Sequence, residues 1–535
     1  STGIPTVSAS FFTVVSAMSA TLSCPRLGGA LLQIPACYLF AGFLAFEPGG
    51  TGGHNQLGRA LFLQPFNVEQ VVHRLFGKVF HGDDASGGQF HRQITVHAFH
   101  CQKVVGGFGL AVLVGTLLLM LPVARTGTAW TDPVTALFTS TSAVCVTGLV
   151  VVDTGTYWST FGEVVILALI QVGGLGTMTL ASLLGLAISR RLGLRARVTA
   201  AAETKAVGLG DVRGVVLGVA RTSLVVEAAV AVVLGLRFWA AYDVSPGRAA
   251  YLGVFHSVSA FNNAGFALWP DSLVRFATDP WICLPIAASV IVGGIGFPVI
   301  LELRKRLRTP RAWSMHTKMT LWATGVLLVL GTVVITANEW RNPATLGQLD
   351  TPGRLLAGFF QAVMPRTAGF NSVDTGAMYE GSLLVTVVLM FIGGGSAGTA
   401  GGIKVTTFVL LFFVIWAEVR GERDVQAFER RIGERVVRQA LTVALLSVGL
   451  VVAATVVLVE ITRMSTHLVL FEVVSAFATV GLSTGITADV GTAGHLVLVL
   501  LMFVGRLGPI TLVSALALRE RQRLYHHPEG RPLIG

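Results

Sequence analysis

The chain has 535 residues, 53% of them hydrophobic and only 13% charged. A soluble globular chain carries about 25% charged residues, so this composition excludes a water-soluble domain and puts most of the surface in lipid. The formal net charge of +11 is gathered in clusters between apolar runs, which points to membrane orientation and not to nucleic-acid binding.

In chain order, residues 1–103 form an unassigned segment that is expected to be a poorly ordered extension. It holds Cys24, Cys37 and Cys101 together with His54, His73, His81, His91, His97 and His100. No CxxC or Cys/His ligand spacing appears here or at Cys145 and Cys283, so neither a zinc site nor a disulfide framework is indicated. Apolar runs at 104–121, 215–236, 321–336 and 441–459 approach or reach the about 20 residues that a membrane-crossing helix needs.

After the first of these runs a twelve-residue pattern begins and recurs three times. It reads FTSTSAVCVTGL at 138–149, FHSVSAFNNAGF at 255–266, FFQAVMPRTAGF at 359–370 and FEVVSAFATVGL at 471–482. Each copy starts with Phe and ends in Gly followed by Leu or Phe, the glycines being Gly148, Gly265, Gly369 and Gly481. A second glycine-rich element follows each copy at a similar remove: VGGLG from Val172, VGGIG from Val292, IGGGSAG from Ile392 and VGRLG from Val504. Two elements recurring in register four times define four units at 104–188, 189–303, 304–418 and 419–518, with a tail at 519–535.

Each unit reads as a membrane helix, a short helix ending in glycine, and a second membrane helix (M1, P and M2). The fold class is therefore an all-α membrane protein of four M1-P-M2 pore-loop repeats, with eight transmembrane helices and four re-entrant pore helices about one central pore. The P segments open at helix-start residues: Thr131-Asp132-Pro133, Ser245-Pro246, Thr351-Pro352 and Ser465-Thr466. They are too short to span, and non-helical backbone at membrane depth is tolerated only where it is buried in protein or lines a watery cavity.

Such a pore suits a cation. Backbone carbonyls can replace the water that an ion sheds in a narrow filter, and glycine lets the carbonyls face inward without a side-chain clash. The candidate strands are Val146-Thr147-Gly148, Asn263-Ala264-Gly265, Thr367-Ala368-Gly369 and Thr479-Val480-Gly481. The P helices would aim their negative ends at the ion. A single glycine would read equally well as tight helix packing; the aligned set does not.

Two features would lie below that filter. The third M2 is interrupted by Gly393, Gly394, Gly395, Ser396, Ala397, Gly398, Thr399, Ala400, Gly401 and Gly402, followed by Lys404, a run that breaks a helix. Arg506, inside the last M2, is costly at membrane depth. It is expected to face the pore as an electrostatic barrier or to pair with a neighbouring acid. Basic clusters from Arg190 to Arg213, Arg304 to Lys318 and Arg420 to Arg438 place those loops and the C-terminus in the cytoplasm. The less basic P-loop side carries Asp153, Asp243, Asp271, Asp279, Glu339, Asp350, Asp374 and Asp489, which would concentrate cations at the mouth.

FTSTSAVCVTGLVVVDTGTYW, FHSVSAFNNAGF, GGGSAGTAGGIK and VGRLGP resemble the membrane subunit of the Ktr/Trk/HKT superfamily of potassium transporters, and the Ktr branch most of all. The resemblance spans about residues 104 to 520. It implies potassium uptake across the plasma (inner) membrane, with K+ held at the filter carbonyls by Gly148, Gly265, Gly369 and Gly481. It implies gating by the 393–402 loop and Arg506, and a homodimer with one pore per subunit. A cytoplasmic ring of regulatory subunits would bind the nucleotide (ATP/ADP or NAD), and this chain itself would carry no cofactor. Gly208-Leu209-Gly210 lies in a basic loop with no preceding strand and is no dinucleotide fingerprint. Gly148 matches potassium-selective members; a sodium-permeable or Na-dependent member is the alternative. A membrane-embedded enzyme would need convergent nucleophiles or a metal motif, which no span supplies.

Overall fold

A computed structural model describes residues 105–189 and 212–518. The 1–103 segment, the 208–210 glycines, most of the first basic cluster and the 519–535 tail lie outside them.

The described chain is helical, with one two-residue hairpin pairing Gln426–Ala427 with Arg430–Arg431. Its long helices are α1 (Val105–Met120), α3 (Thr160–Ser189), α4 (Val212–Ala241), α8 (Met315–Glu339), α12 (Glu434–Thr462) and α14 (Gly491–Leu518). Between them sit the short helices α2 (Pro133–Val144), α5 (Pro246–Phe261), α9 (Thr351–Val363) and α13 (Thr466–Phe477). Two spans are broken: α6 (Pro280–Ile295) turns into α7 (Phe297–Arg306), and α10 (Glu380–Phe391) resumes as α11 (Val405–Val419). Four helices are long and apolar enough to cross a membrane, five if α6 and α7 count as one. Their outward faces are apolar as well, with Leu445 on α12 and Val329 on α8 exposed. A helix hydrophobic all round is at home in lipid.

The short helices start where the sequence supplies caps. Asp132 Oδ2 accepts from the amides of Val134 and Thr135, both at 3.0 Å. In the third copy the cap is Asp350, one residue before the expected Thr351, and its Oδ1 accepts from Gly353 N at 3.1 Å. Ser245 and Ser465 take the N-cap place of α5 and α13 without a side-chain bond. Proline in the first turn of α2, α5 and α9 fits a position whose N–H has no helical partner.

Each short helix packs against long helices of its own unit. The helix that follows it then packs against the next short helix: α3 on α5, α6 on α9, α10 on α13, and finally α14 back on α2. The last contact brings the final long helix back onto the first short helix.

Glycine makes the packing within a unit close. A Cβ on Gly173 would stand 1.9 Å from Val144 O, one on Gly293 2.0 Å from Phe261 O, and one on Gly505 1.8 Å from Phe477 O. Those three carbonyls occupy one equivalent place at the C-terminal end of α2, α5 and α13. The second glycine element thus lets three inner helices touch short-helix backbone, the use that small residues have in membrane packing.

Candidate functional site

Beyond each short helix the backbone takes the same unusual path. Val146, Asn263, Thr367 and Thr479 have φ of 56°, 59°, 67° and 51°, and the glycine two residues on follows at 92°, 70°, 72° and 94°. A β-branched residue at positive φ is an outlier, and three of the four are β-branched. Such backbone costs on the order of 1–3 kcal/mol per residue and persists only where its surroundings over-determine it. Here they do, since Val146, Thr147, Asn263, Ala264, Thr367, Ala368, Thr479 and Val480 are all buried.

Hydrogen bonds fix the turn. Thr147 N, Ala264 N and Val480 N donate to Ser142 O, Ser259 O and Ser475 O at 2.8, 2.7 and 2.8 Å. The hydroxyls of Ser142 and Ser475 accept from Gly148 N and Gly481 N, both at 3.1 Å. The third unit has Val363 at the matching place, and Ala368 N donates to Met364 O at 3.0 Å instead.

The four expected triplets meet. A Cβ on Gly148 would lie 3.1 Å from Gly265 Cα, one on Gly265 2.9 Å from Gly369 Cα, one on Gly369 3.0 Å from Gly481 Cα, and one on Gly481 3.0 Å from Gly148 Cα. Each would also run into a carbonyl of the neighbouring triplet, namely Ala264 O, Ala368 O, Val480 O and Thr147 O in turn. The glycines form a closed, narrow ring with no room for side chains. The hydroxyls of Thr147, Thr367 and Thr479 have no hydrogen-bond partner among the described residues.

The segment 392–404 joins α10 to α11 against this ring. Its two ends are tied together: Gly393 N donates to Ile403 O at 2.9 Å and Val405 N to Gly394 O at 3.0 Å. Its middle reaches the second and fourth units. Gly395 N and Thr399 N donate to Gly294 O and Gly293 O at 2.7 and 3.2 Å, and Phe297 N donates to Ala397 O at 3.1 Å. Thr399 Oγ1 donates to Asn263 Oδ1 at 3.0 Å. A Cβ on Gly401 would stand 2.0 Å from Thr479 Oγ1. Lys404 folds back on the segment, its Nζ 2.6 Å from Ala400 O, and Ser396 Oγ lies 3.1 Å from Thr406 Oγ1.

Arg506 is buried, and no acid is among its hydrogen-bond partners in the described residues. Its guanidinium donates to Thr399 O and, at 2.8 Å, to Thr177 Oγ1 of α3. It is a cross-tie between the first unit, the fourth and the broken segment. Thr399 and Thr177 were not singled out from sequence, where only a glycine-rich run was visible.

Most of the acidic residues expected to draw cations have other work. Asp153, Asp350 and Asp374 cap helices. Asp279 caps α6 and pairs with Arg237 at 2.8 Å, and Asp271 pairs with Arg275 at 2.6 Å. Glu339 is buried and accepts from Asn342, Thr345 and Tyr379 N. Among the described residues, Asp271 and Asp279 have an arginine partner that offsets their charge; the other capping carboxylates accept from neutral donors and keep theirs.

Sequence reading also missed a carboxylate behind the ring. Glu227 of α4 accepts from Ser223 Oγ at 2.6 Å and from Gln171 Nε2 at 3.1 Å, while Gln171 Oε1 accepts from Asn262 Nδ2 at 2.7 Å. An acid inside a membrane helix could have flagged it.

The family model for TrkH, described as cation transport protein, matches residues 105–525. The chain is 42% identical to Ktr system potassium uptake protein B of Bacillus subtilis (strain 168), over 81% of this chain and 96% of that protein. It is 40% identical to the protein of the same name from Vibrio alginolyticus, over 79% and 92%, and 35% identical to potassium/sodium uptake protein NtpJ of Enterococcus hirae, over 81% and 97%. Among solved structures, the potassium transporter TrkH from Vibrio parahaemolyticus superposes with a TM-score of 0.61 at 20% identity, covering 78% of this chain and 85% of that one. This is a likeness of fold.

Proposed function

Because the chain belongs to the TrkH family of cation transport proteins and sides with its Ktr branch, a multi-pass membrane transporter and not an enzyme, we propose that it takes up potassium through the glycine ring. The observation that carries this reading is the ring itself: four strained turns, equivalent in sequence, converge on four glycines that touch in a closed cycle. Carbonyls held in that way can stand in for the hydration shell of a potassium ion. The C-terminal ends of α2, α5, α9 and α13 add negative potential toward the ion. The unpartnered hydroxyls of Thr147, Thr367 and Thr479 are further oxygen donors of the kind such an ion takes.

In this reading the eight spans are α1, α3, α4, α6 with α7, α8, α10 with α11, α12 and α14, and the short helices are re-entrant. The basic groups around α7 and between α11 and α12 face the cytoplasm of a plasma (inner) membrane, and the ring opens outward. Segment 392–404 is the gate: it lies against the ring, and Arg506 latches it. The chain works as a homodimer under a separate cytoplasmic nucleotide-binding ring.

The test of transport is direct. The chain is expected to restore growth on limiting potassium to a potassium-auxotrophic bacterium and, purified into liposomes, to pass potassium well ahead of sodium. Sodium flux equal to potassium flux would favour the sodium-permeable alternative, and no cation flux would overturn the reading. A second expectation concerns control. Purified alone, the chain should bind neither ATP nor NAD in equilibrium dialysis; specific binding of either would contradict a separate regulatory subunit.

A further inference from the structure

We propose that His256 and Glu472 are positioning residues that pin the outer exit of the ring at two opposite corners, and that through it they set ion selectivity. The proposal rests on the transport reading above.

The two residues occupy one equivalent place, second in the twelve-residue pattern, where the other units have Thr139 and Phe360. Both are fully buried. His256 Nδ1 lies 2.8 Å from Leu252 O. A carbonyl can only accept, so Nδ1 carries the proton and Nε2 is left as an acceptor. It takes the amide of Leu268 at 3.3 Å. Glu472 Oε1 takes the amide of Thr484 at 3.2 Å and the Ser483 hydroxyl, and Oε2 takes the Thr487 hydroxyl at 3.1 Å.

The two amides are equivalent as well. Leu268 follows Gly265, and Thr484 follows Gly481, by the same interval. At the corresponding places in the other units, Val151 and Ser372, no such bond forms among the described residues. Phe360 has no acceptor to offer.

The unclamped units lean on the clamped ones. A Cβ on Gly155 would stand 2.3 Å from Leu268 O, and one on Gly376, its equivalent, 2.7 Å from Thr484 O. Leu268 and Thr484 are thus held by their N–H from a short helix and crowded at their C=O by the preceding unit. Since each ring glycine touches the next in chain order, the clamped units 2 and 4 are diagonal. The exit therefore has two-fold support although the ring below it has four members. Chemically different side chains, an imidazole and a carboxylate, do the same job at the two corners. His256 is further fixed by Trp269, stacked at 4.5 Å between centroids and 25° between planes.

An ion filter discriminates by where its oxygens stand, and a backbone anchored through a buried amide moves when the acceptor is removed. The test uses the full chain in liposomes and reads the ratio of potassium to sodium flux. His256→Phe, which borrows the residue of the third unit, and Glu472→Leu should each lower that ratio about five- to tenfold. His256→Gln and Glu472→Gln, which restore an acceptor at the same reach, should return it to within about twofold of wild type. A residue that mattered only for folding would change yield and leave the ratio alone, so each variant is also checked for monodispersity. Folded His256→Phe and Glu472→Leu proteins with the wild-type ratio would overturn the clamp, as would glutamine variants no better than the apolar ones. If His256→Phe does not fold, the Glu472 pair decides by the same readout. A wild-type chain that passes no potassium would instead bring down the transport reading, a result distinct from potassium flux that is indifferent to both positions.

Discussion

Replacing Gly148 with serine is expected to cut discrimination between potassium and sodium by about tenfold or more, the largest selectivity change that a single residue of this chain should give. Gly148 sits at φ 92°, where an L side chain is strained, and a Cβ there would stand 2.2 Å from Ala264 O. The added atoms cannot be absorbed by a flexible neighbour, because the neighbour is backbone of the next triplet. Either the first strand turns its carbonyls away or the second is pushed aside, and each outcome widens the ring. Ala264 O is one of the oxygens proposed to line it. A wider ring fits potassium less closely and lets partly hydrated sodium through. The measurement compares potassium and sodium uptake by wild type and variant at equal expression. Unchanged selectivity in a folded Gly148→Ser protein would remove Gly148 from the filter.

The two recurring glycine elements were legible because each had to be glycine for a separate steric reason, one at the ring and one where an inner helix meets short-helix backbone. Starts of the short helices were legible to within a residue, as Asp350 against Thr351 illustrates. Breaks in the spans were legible only in part. The run at 393–402 announces itself by composition, whereas VGGIGFP near 292–298 looks like VGGLG near 172–176. The second continues unbroken in α3; the first breaks at Gly296 with a bend of 100° between α6 and α7. Two causes separate them. Pro298 stands in the first turn of α7, where its missing N–H suits a new helix start. The broken backbone also finds partners in another unit, with Phe297 N on Ala397 O and Gly395 N on Gly294 O. Neither partner is a neighbour in sequence, so no local pattern could report it. The same holds for Arg506, whose tie to Thr399 and Thr177 spans units. From sequence only its cost was visible, which suggested a pore-facing barrier or a paired acid; its contacts include no acid.

Excising residues 395–401 is expected to raise potassium flux by about tenfold or more and to weaken dependence on any regulatory partner. The segment's ends already lie side by side, with Gly393 N on Ile403 O and Val405 N on Gly394 O, so a short join can close the gap without moving α10 or α11. What the excision removes is the part that reaches other units: Thr399 to Gly293 and Asn263, Ala397 to Phe297, and the carbonyl that Arg506 holds. At roughly 1 kcal/mol net for each hydrogen bond, and more for the charged one, these ties keep the segment against the ring in nearly all molecules. Moving it aside must break several at once, which suits a device worked by a partner and not by thermal motion. Without the segment the barrier is gone, and Arg506 loses Thr399 while keeping Thr177. That remaining charge sets the second arm of the experiment. Adding Arg506→Gln to the excision should raise flux further if the guanidinium also repels the ion, and should add nothing if its work is only to latch the segment. Folding is checked by monodispersity at the same elution position as the wild-type chain. A folded excision mutant with unchanged or lower flux under all conditions would mean that the segment is a passive kink.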